Sequence, residues 1–179
     1  AHTHTENHEH NAVHLPIEKT LAYMVAPKLG NKKGATFTLI NNKDQTHVTF
    51  RTRREETKWT SPDGKVKRTY TNIFVDVMDG TDNTKHFRTI GTLSEKGFFK
   101  AYNIKFGRKG MASKEEVITR QNIFTWFNKR RWQATEAKHK VAFPSTFIFK
   151  TSGRCARCNR KLTNPDSLAI FLGPECAKH

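Results

Sequence analysis

The sequence predicts an α+β fold: an antiparallel sheet of about five strands packed on a helix, followed by a C-terminal treble-clef-like zinc module. Three observations predict it. Apolar and polar residues alternate at period two from residue 35 to residue 106, between clusters of turn residues. A capped amphipathic segment starts at Ser113. The chain holds only three cysteines, all close to its end and at metal-ligand spacing.

The elements follow in order. Residues 1–14 carry five histidines and no aromatic residue, and read as a disordered, His-rich tail. Residues 15–26 place Ile17, Leu21, Met24 and Val25 on one helical face, with Pro16 tolerated in the first turn. KLGNKKG (28–34) reads as a plain basic turn, since a strand rather than a helix follows it. ATFTLIN (35–41) and THVTFRTR (46–53) read as a hairpin joined by NKDQ. In the second strand Val48 and Phe50 share one face, and His47, Arg51 and Arg53 share the other. SPDGK (61–65) is a turn, and TYTNIFVDVM (69–78) is the most apolar strand, expected at the centre. KHFRTIGTL (85–93) and GFFKAYNIKF (97–106) complete the sheet.

Ser113 and Glu116 form a capping box, and the helix is expected to run to about Gln133. Val117, Phe124 and Phe127 make its apolar seam, with Ile123 beside it. Lys129, Arg130 and Arg131 lie in its last turns. Cations there complement the helix dipole, and beside Trp132 they equally suit a phosphate clamp with a stacking ring. A further strand, VAFPSTFIFKT (141–151), leads into the metal module. The expected organisation is therefore a tail (1–14), an α+β domain (15–151) and a zinc module (152–179).

The terminal pattern is C-x2-C-x17-C-x2-H, formed by Cys155, Cys158, Cys176 and His179. Three thiolates and a neutral imidazole in two close pairs fit one tetrahedral Zn2+. Four protein ligands close the shell, so the one expected ion is structural, with no open position for a substrate. His139 or an N-terminal histidine is the substitute for His179. A disulfide with one odd thiol is the competing reading of the three cysteines. Gly173-Pro174 sets up a helix start that carries Cys176.

GRCARCNRKLTNPDSLAIFLGPEC resembles a small cysteine domain of unknown function found in bacteriophage and actinobacterial proteins. The residues that carry the resemblance are Gly153, Arg154, Cys155, Cys158, Arg160, Leu162, Thr163, Pro165, Ser167, Gly173, Pro174 and Cys176. The chain departs from it at Asn159, where glycine is usual, and in the apolar Leu168–Leu172 stretch. ATFTLI and FVDVMDGTDNTKHFRTIGTL are similar to the strand–turn–strand that precedes this finger in small phage proteins. The resemblance implies a phage or mobile-element origin and the cytoplasm of a bacterial host. It implies no activity.

The chain of 179 residues has 32 basic and 16 acidic side chains, a net charge of +16. An excess of that size points to a polyanionic partner, nucleic acid first, because neutralised phosphates release counterions. An acidic host protein, such as a nuclease, polymerase or defence component bound by a phage effector, is the alternative partner. No apolar run approaches the roughly 20 residues of a membrane span, and no signal peptide is evident. Ala1 reads as the residue left after removal of an initiator Met. The expected phosphate contacts are Arg51, Arg53, Arg54, Arg88, Lys129, Arg130 and Arg131, with Arg154, Arg157, Arg160 and Lys161 along the knuckle. Trp59 and Trp132 are the expected stacking residues. Charge interleaved with aromatics favours single-stranded or irregular nucleic acid over duplex.

No enzyme is expected. P-loop, nucleophile-elbow and zinc-deaminase patterns are all missing. Asp76, Asp79 and Asp82 are the one acidic group suited to Mg2+ in a nuclease, and their D-G and D-N contexts read better as turns.

Overall fold

In the computed structural model, residues 13–162 and 172–177 are described, and the side chains of residues 174 and 175 are not. The elements are β1 (His14–Leu15), α1 (Ile17–Val25), β2 (Ala35–Asn41), β3 (His47–Thr60), β4 (Lys67–Met78) and β5 (Phe87–Leu93). β6 (Phe99–Ala101), α2 (Lys114–Thr135), β7 (Phe147–Thr151) and the single turn α3 (Pro174–Ala177) follow. The fold is α+β. Among the described residues seven strands, not five, form one curled sheet in the order β1-β7-β2-β3-β4-β5-β6, every neighbouring pair antiparallel.

Alternation decides which face is buried. Ala35, Phe37 and Leu39 of β2, Phe50 and Thr52 of β3, and Ile73, Val75 and Val77 of β4 point inward. Tyr23 and Met24 of α1 and Val117, Phe124 and Phe127 of α2 meet them. Phe37 stacks on Phe149 at 4.4 Å and on Phe50 at 5.6 Å, and Phe124 tilts against Phe50 at 5.4 Å. Each buried Phe contributes about 2–3 kcal/mol by leaving water.

The capping residue at the start of α2 is Ser113, whose hydroxyl accepts from the Glu116 N–H at 3.1 Å. The buried stripe of α2 is partly polar. Gln121 donates to the carbonyls of Ile90 and Tyr102, and Asn128 donates to that of Gly97. Gln121 thereby satisfies the backbone where β4 and β5 slip register at Val75 and Asp76.

Four boundaries differ from expectation for physical reasons. His14, placed in the tail by composition, pairs with Lys150 as part of β1. Two residues carry no period, so no pattern announces that strand. β3 runs on to Thr60 by ladder bonds to β4, through a polar stretch with no buried face. β6 ends at Ala101 because the Tyr102 carbonyl goes to Gln121 and Ile104 turns into the core. β7 begins only at Phe147, whose N–H closes a turn onto the Pro144 carbonyl.

Candidate metal centre and basic cleft

Gly153 (φ 73°) and Asn159 (φ 68°) adopt left-handed backbone at either side of the Cys155–Cys158 turn. Asn is the residue besides glycine that most readily enters that region, which accounts for its place in a glycine position of the resembling domain. The Cys155 N–H donates to the Arg160 carbonyl and the Asn159 N–H donates to that of Cys155, both at 2.8 Å. An isolated bridge between Arg154 and Lys161 closes the base of the knuckle. Cys176 sits in α3, as its Gly-Pro start implies.

The three sulfurs lie within 4.8 Å of one another. Burial pushes the Cys176 thiol up to about 12, and its neighbours Cys158 and Cys155 add to the rise. Burial also opposes ionisation of Cys155, but N–H groups of Gly173, Cys158 and Arg157 outweigh it and lower that thiol. Three ionised sulfurs at this separation repel unless a cation sits among them, so the donor set fits a thiophilic metal ion. Among the described residues no fourth His, Cys, Asp or Glu joins the group. His139 is exposed and outside it, and His14 lies in β1. His179 and the histidines of 1–12 lie outside the described residues.

The knuckle is fastened to the body. The Arg157 carbonyl accepts from the Lys28 N–H at 3.1 Å and from Asn31 Nδ2 at 3.0 Å. Asn31 Oδ1 in turn accepts from the Gly34 N–H. Gly34 (φ +62°) admits no side chain, since a Cβ there would meet the Thr52 carbonyl oxygen at 2.0 Å. The basic turn before β2 is thereby locked between knuckle and sheet, with Lys32 and Lys33 exposed.

Those two lysines line a cleft of about 870 Å3 on the outer face of the sheet. Thr36 and Thr38 of β2, and His47, Thr49 and Arg51 of β3, line it as well. Arg154 and Asn159 reach it from the knuckle, Gly80, Asn83 and Thr84 from the β4–β5 turn, and Arg120 from α2. Among the described residues no Asp or Glu lines it.

The expected phosphate contacts divide on inspection. Arg51 and Arg53 both bond the buried Asp76 at 2.8 Å, and Arg53 also pairs with Glu55. Arg54 points to the inner side by parity and caps the C-terminus of α1, donating to Val25 and Pro27 carbonyls and pairing with Glu95. Arg88 donates to the Phe106 carbonyl and lies over that ring. Arg131 is 1% exposed and donates to Asn128 Oδ1 and the Gly97 carbonyl. This placement corrects its expected role, since a side chain so enclosed has no reach to a phosphate. Lys129 and Trp132 are exposed on α2, and Arg130 covers the Trp126 ring. Arg160 and Lys161 are exposed on the knuckle and Arg157 is half-buried. Trp59 lies on the far part of β3, away from the core.

The acidic trio does not converge. Asp76 is held by Arg51, Arg53 and Thr89, and Asp79 by Arg108. Asp82 is lowered to about 2 by N–H and hydroxyl bonds from Thr84 and the Lys85 N–H, a turn-forming carboxylate. Lys32, Lys33 and Arg120 are the cationic cleft residues that sequence reasoning passed over. The available signal was the paired lysines between two glycines, Gly30 and Gly34.

Residues 149–179 match the model of a family of unknown function (DUF6011). No curated protein and no solved structure matches the chain. Among the described residues no helix is long and apolar enough to cross a membrane.

Proposed function

We propose that the protein is a non-catalytic nucleic-acid-binding protein that takes phosphates in the basic cleft. One observation carries this reading: among the described residues five cationic side chains and no carboxylate line a single cleft of about 870 Å3. Lys32, Lys33 and Arg154 make no ion pair among the described residues, so their charge is available to a ligand. Thr36, Thr38 and Thr49 add hydroxyls of the kind that position a backbone phosphate. The net charge of +16 supplies long-range attraction to the same partner.

The metal in this reading is one structural Zn2+ held by Cys155, Cys158 and Cys176, with His179 as fourth ligand in a treble-clef-like module. Its contribution is rigidity: it fixes the knuckle that presents Arg154 to the cleft. Arg157, Arg160 and Lys161 extend the positive edge. A phage origin and a bacterial cytoplasm rest on the family resemblance alone.

The test is fluorescence anisotropy with single-stranded DNA, duplex DNA and RNA across a salt series. Binding is expected with a steep salt slope. Replacing Lys32, Lys33 and Arg154 by Gln should reduce that slope by about 1 for each phosphate no longer neutralised. Replacing Lys129 and Arg130 should change it little. Affinity indifferent to the three cleft substitutions would refute the assignment.

A further inference from the structure

The cleft continues onto a second surface that the phosphate reading does not use. β2 pairs with β3 only as far as Thr52, and β5 pairs with β4 only as far as Ile73. Beyond those points β3 and β4 pair only with each other, from Glu55–Asn72 to Thr60–Lys67. Every residue of Glu55–Thr60 and of Lys67–Thr71 is exposed. The result is a two-stranded arm, closed at its tip by Ser61, whose N–H donates to the Val66 carbonyl and whose hydroxyl accepts from the Val66 N–H.

The two faces of the arm differ. One carries Glu56, Lys58, Thr60, Lys67, Thr69 and Thr71, with no ring among them. The other carries Trp59 opposite Arg68 and Tyr70 opposite Thr57, both rings 45% exposed. Trp59 and Tyr70 are diagonal neighbours across the ribbon, a separation of about 7–8 Å between Cα atoms. By parity this face continues the outer face of the sheet, where Arg53 covers the Phe74 ring at 4.7 Å and Arg51 covers Phe87 at 4.3 Å. Rings and arginines thus occur both beside the cleft and on the arm, with the Glu55–Asn72 pair between them. From Arg51 to Trp59 the strand rises about 26 Å at the usual rise per residue. The carboxylates on the way, Asp76 and Glu55, are both paired with arginine. Nearer the tip, Lys58, Lys65, Lys67 and Arg68 outnumber Glu56 and Asp63.

Folding gains little from these rings. A lone two-stranded ribbon is marginal in water, and a cross-strand pair of half-covered rings adds only about 0.2–1 kcal/mol. Aromatics confined to the one face that leads into a cationic cleft suit a ligand with an anionic backbone and flat, apolar side groups.

Resting on the nucleic-acid reading above, we propose that the Trp59–Tyr70 face is a stacking platform for unpaired bases. A single strand held by its phosphates in the cleft runs out along β3 and lays bases on the two rings. A duplex keeps its bases stacked on each other and gains nothing from the arm.

The experiment uses the full, zinc-loaded chain and four probes of equal length: oligo-dT, oligo-rU, abasic single-stranded DNA and duplex DNA. Stacking energies of about 1–3 kcal/mol per base correspond to roughly a five- to hundredfold loss of affinity per ring removed. Trp59→Ala and Tyr70→Ala should each weaken oligo-dT or oligo-rU binding by that factor. Their salt slope, and their affinity for abasic and duplex probes, should stay as in the unmodified chain. Trp59→Phe should retain most of the affinity, and the quenching of indole fluorescence by the single strand should diminish in Trp59→Leu. Equal affinity for abasic and base-bearing strands, or unchanged affinity in Trp59→Ala/Tyr70→Ala, would overturn the platform while leaving the cleft assignment standing. Failure of every probe to bind would overturn both.

Discussion

The near parts of β3 and β4 are covered on one side by α1 and α2 and on the other by the arginine–Asp76 network. Their far parts are covered on neither side. In the near parts Phe50, Thr52, Val75 and Val77 are essentially inaccessible, and the residues between them are committed to internal bonds. In the far parts little is committed beyond the ladder: Glu55 pairs with Arg53 and Asn72 donates to the Thr57 hydroxyl at 3.5 Å. The difference teaches how to separate residues the fold requires from residues it merely tolerates. An arginine in the near part has a carboxylate or carbonyl partner, whereas Arg68 and Trp59 in the far part are held only by backbone pairing.

That contrast can be broken or sharpened by substitution. The largest effect is expected in the core: Phe124→Ala should cost about 3–5 kcal/mol, read as a lower urea midpoint with an unchanged slope. Asp76→Ala should cost about 2–3 kcal/mol, because Arg51 and Arg53 then face each other without their shared anion. Both guanidinium groups reach some water, which keeps this loss below that of a fully enclosed pair. Chelation of the proposed Zn2+ should act locally. Amide exchange should quicken over 152–162 and, through the Arg157 carbonyl, over 28–34, with the arm unaffected. Exchange that quickens in the arm as well would erase the distinction between the regions. The smallest effect is expected at the tip, where Trp59→Ala should change stability by no more than about 0.5 kcal/mol. A larger loss would make Trp59 a structural residue and remove the reason to read it as a ligand-facing ring.

Much of the near region was legible from residue order. Alternation marks β2 at its observed bounds, Ser113 marks the start of α2, and the cysteine spacing brings three sulfurs together. The far half of β3 was not legible, because EETKWT has no apolar period and takes its shape from the partner strand. The structural roles of Arg54 and Arg131 were hidden for another reason. Their partners are main-chain carbonyls of α1 and of the β5–β6 turn, which no side-chain pattern reports. Parity puts Arg54 on the face opposite Arg51 and Arg53, although all three were expected as phosphate contacts. The cleft was hidden because its walls, the 28–34 turn, the β2–β3 hairpin and the knuckle, meet only when the sheet curls.

Two surfaces compete for a polyanion: the cleft on the outer face of the sheet, and the end of α2 bearing Lys129, Arg130 and Trp132. Backbone amide shift mapping by NMR, titrating the metal-loaded protein with a short single-stranded oligonucleotide, distinguishes them directly. Shifts concentrated at Lys32, Lys33, Thr36, Thr49 and Arg154, spreading to Trp59 and Tyr70, are the predicted result. Shifts confined to residues 129–132, or spread evenly over the surface, would contradict the account.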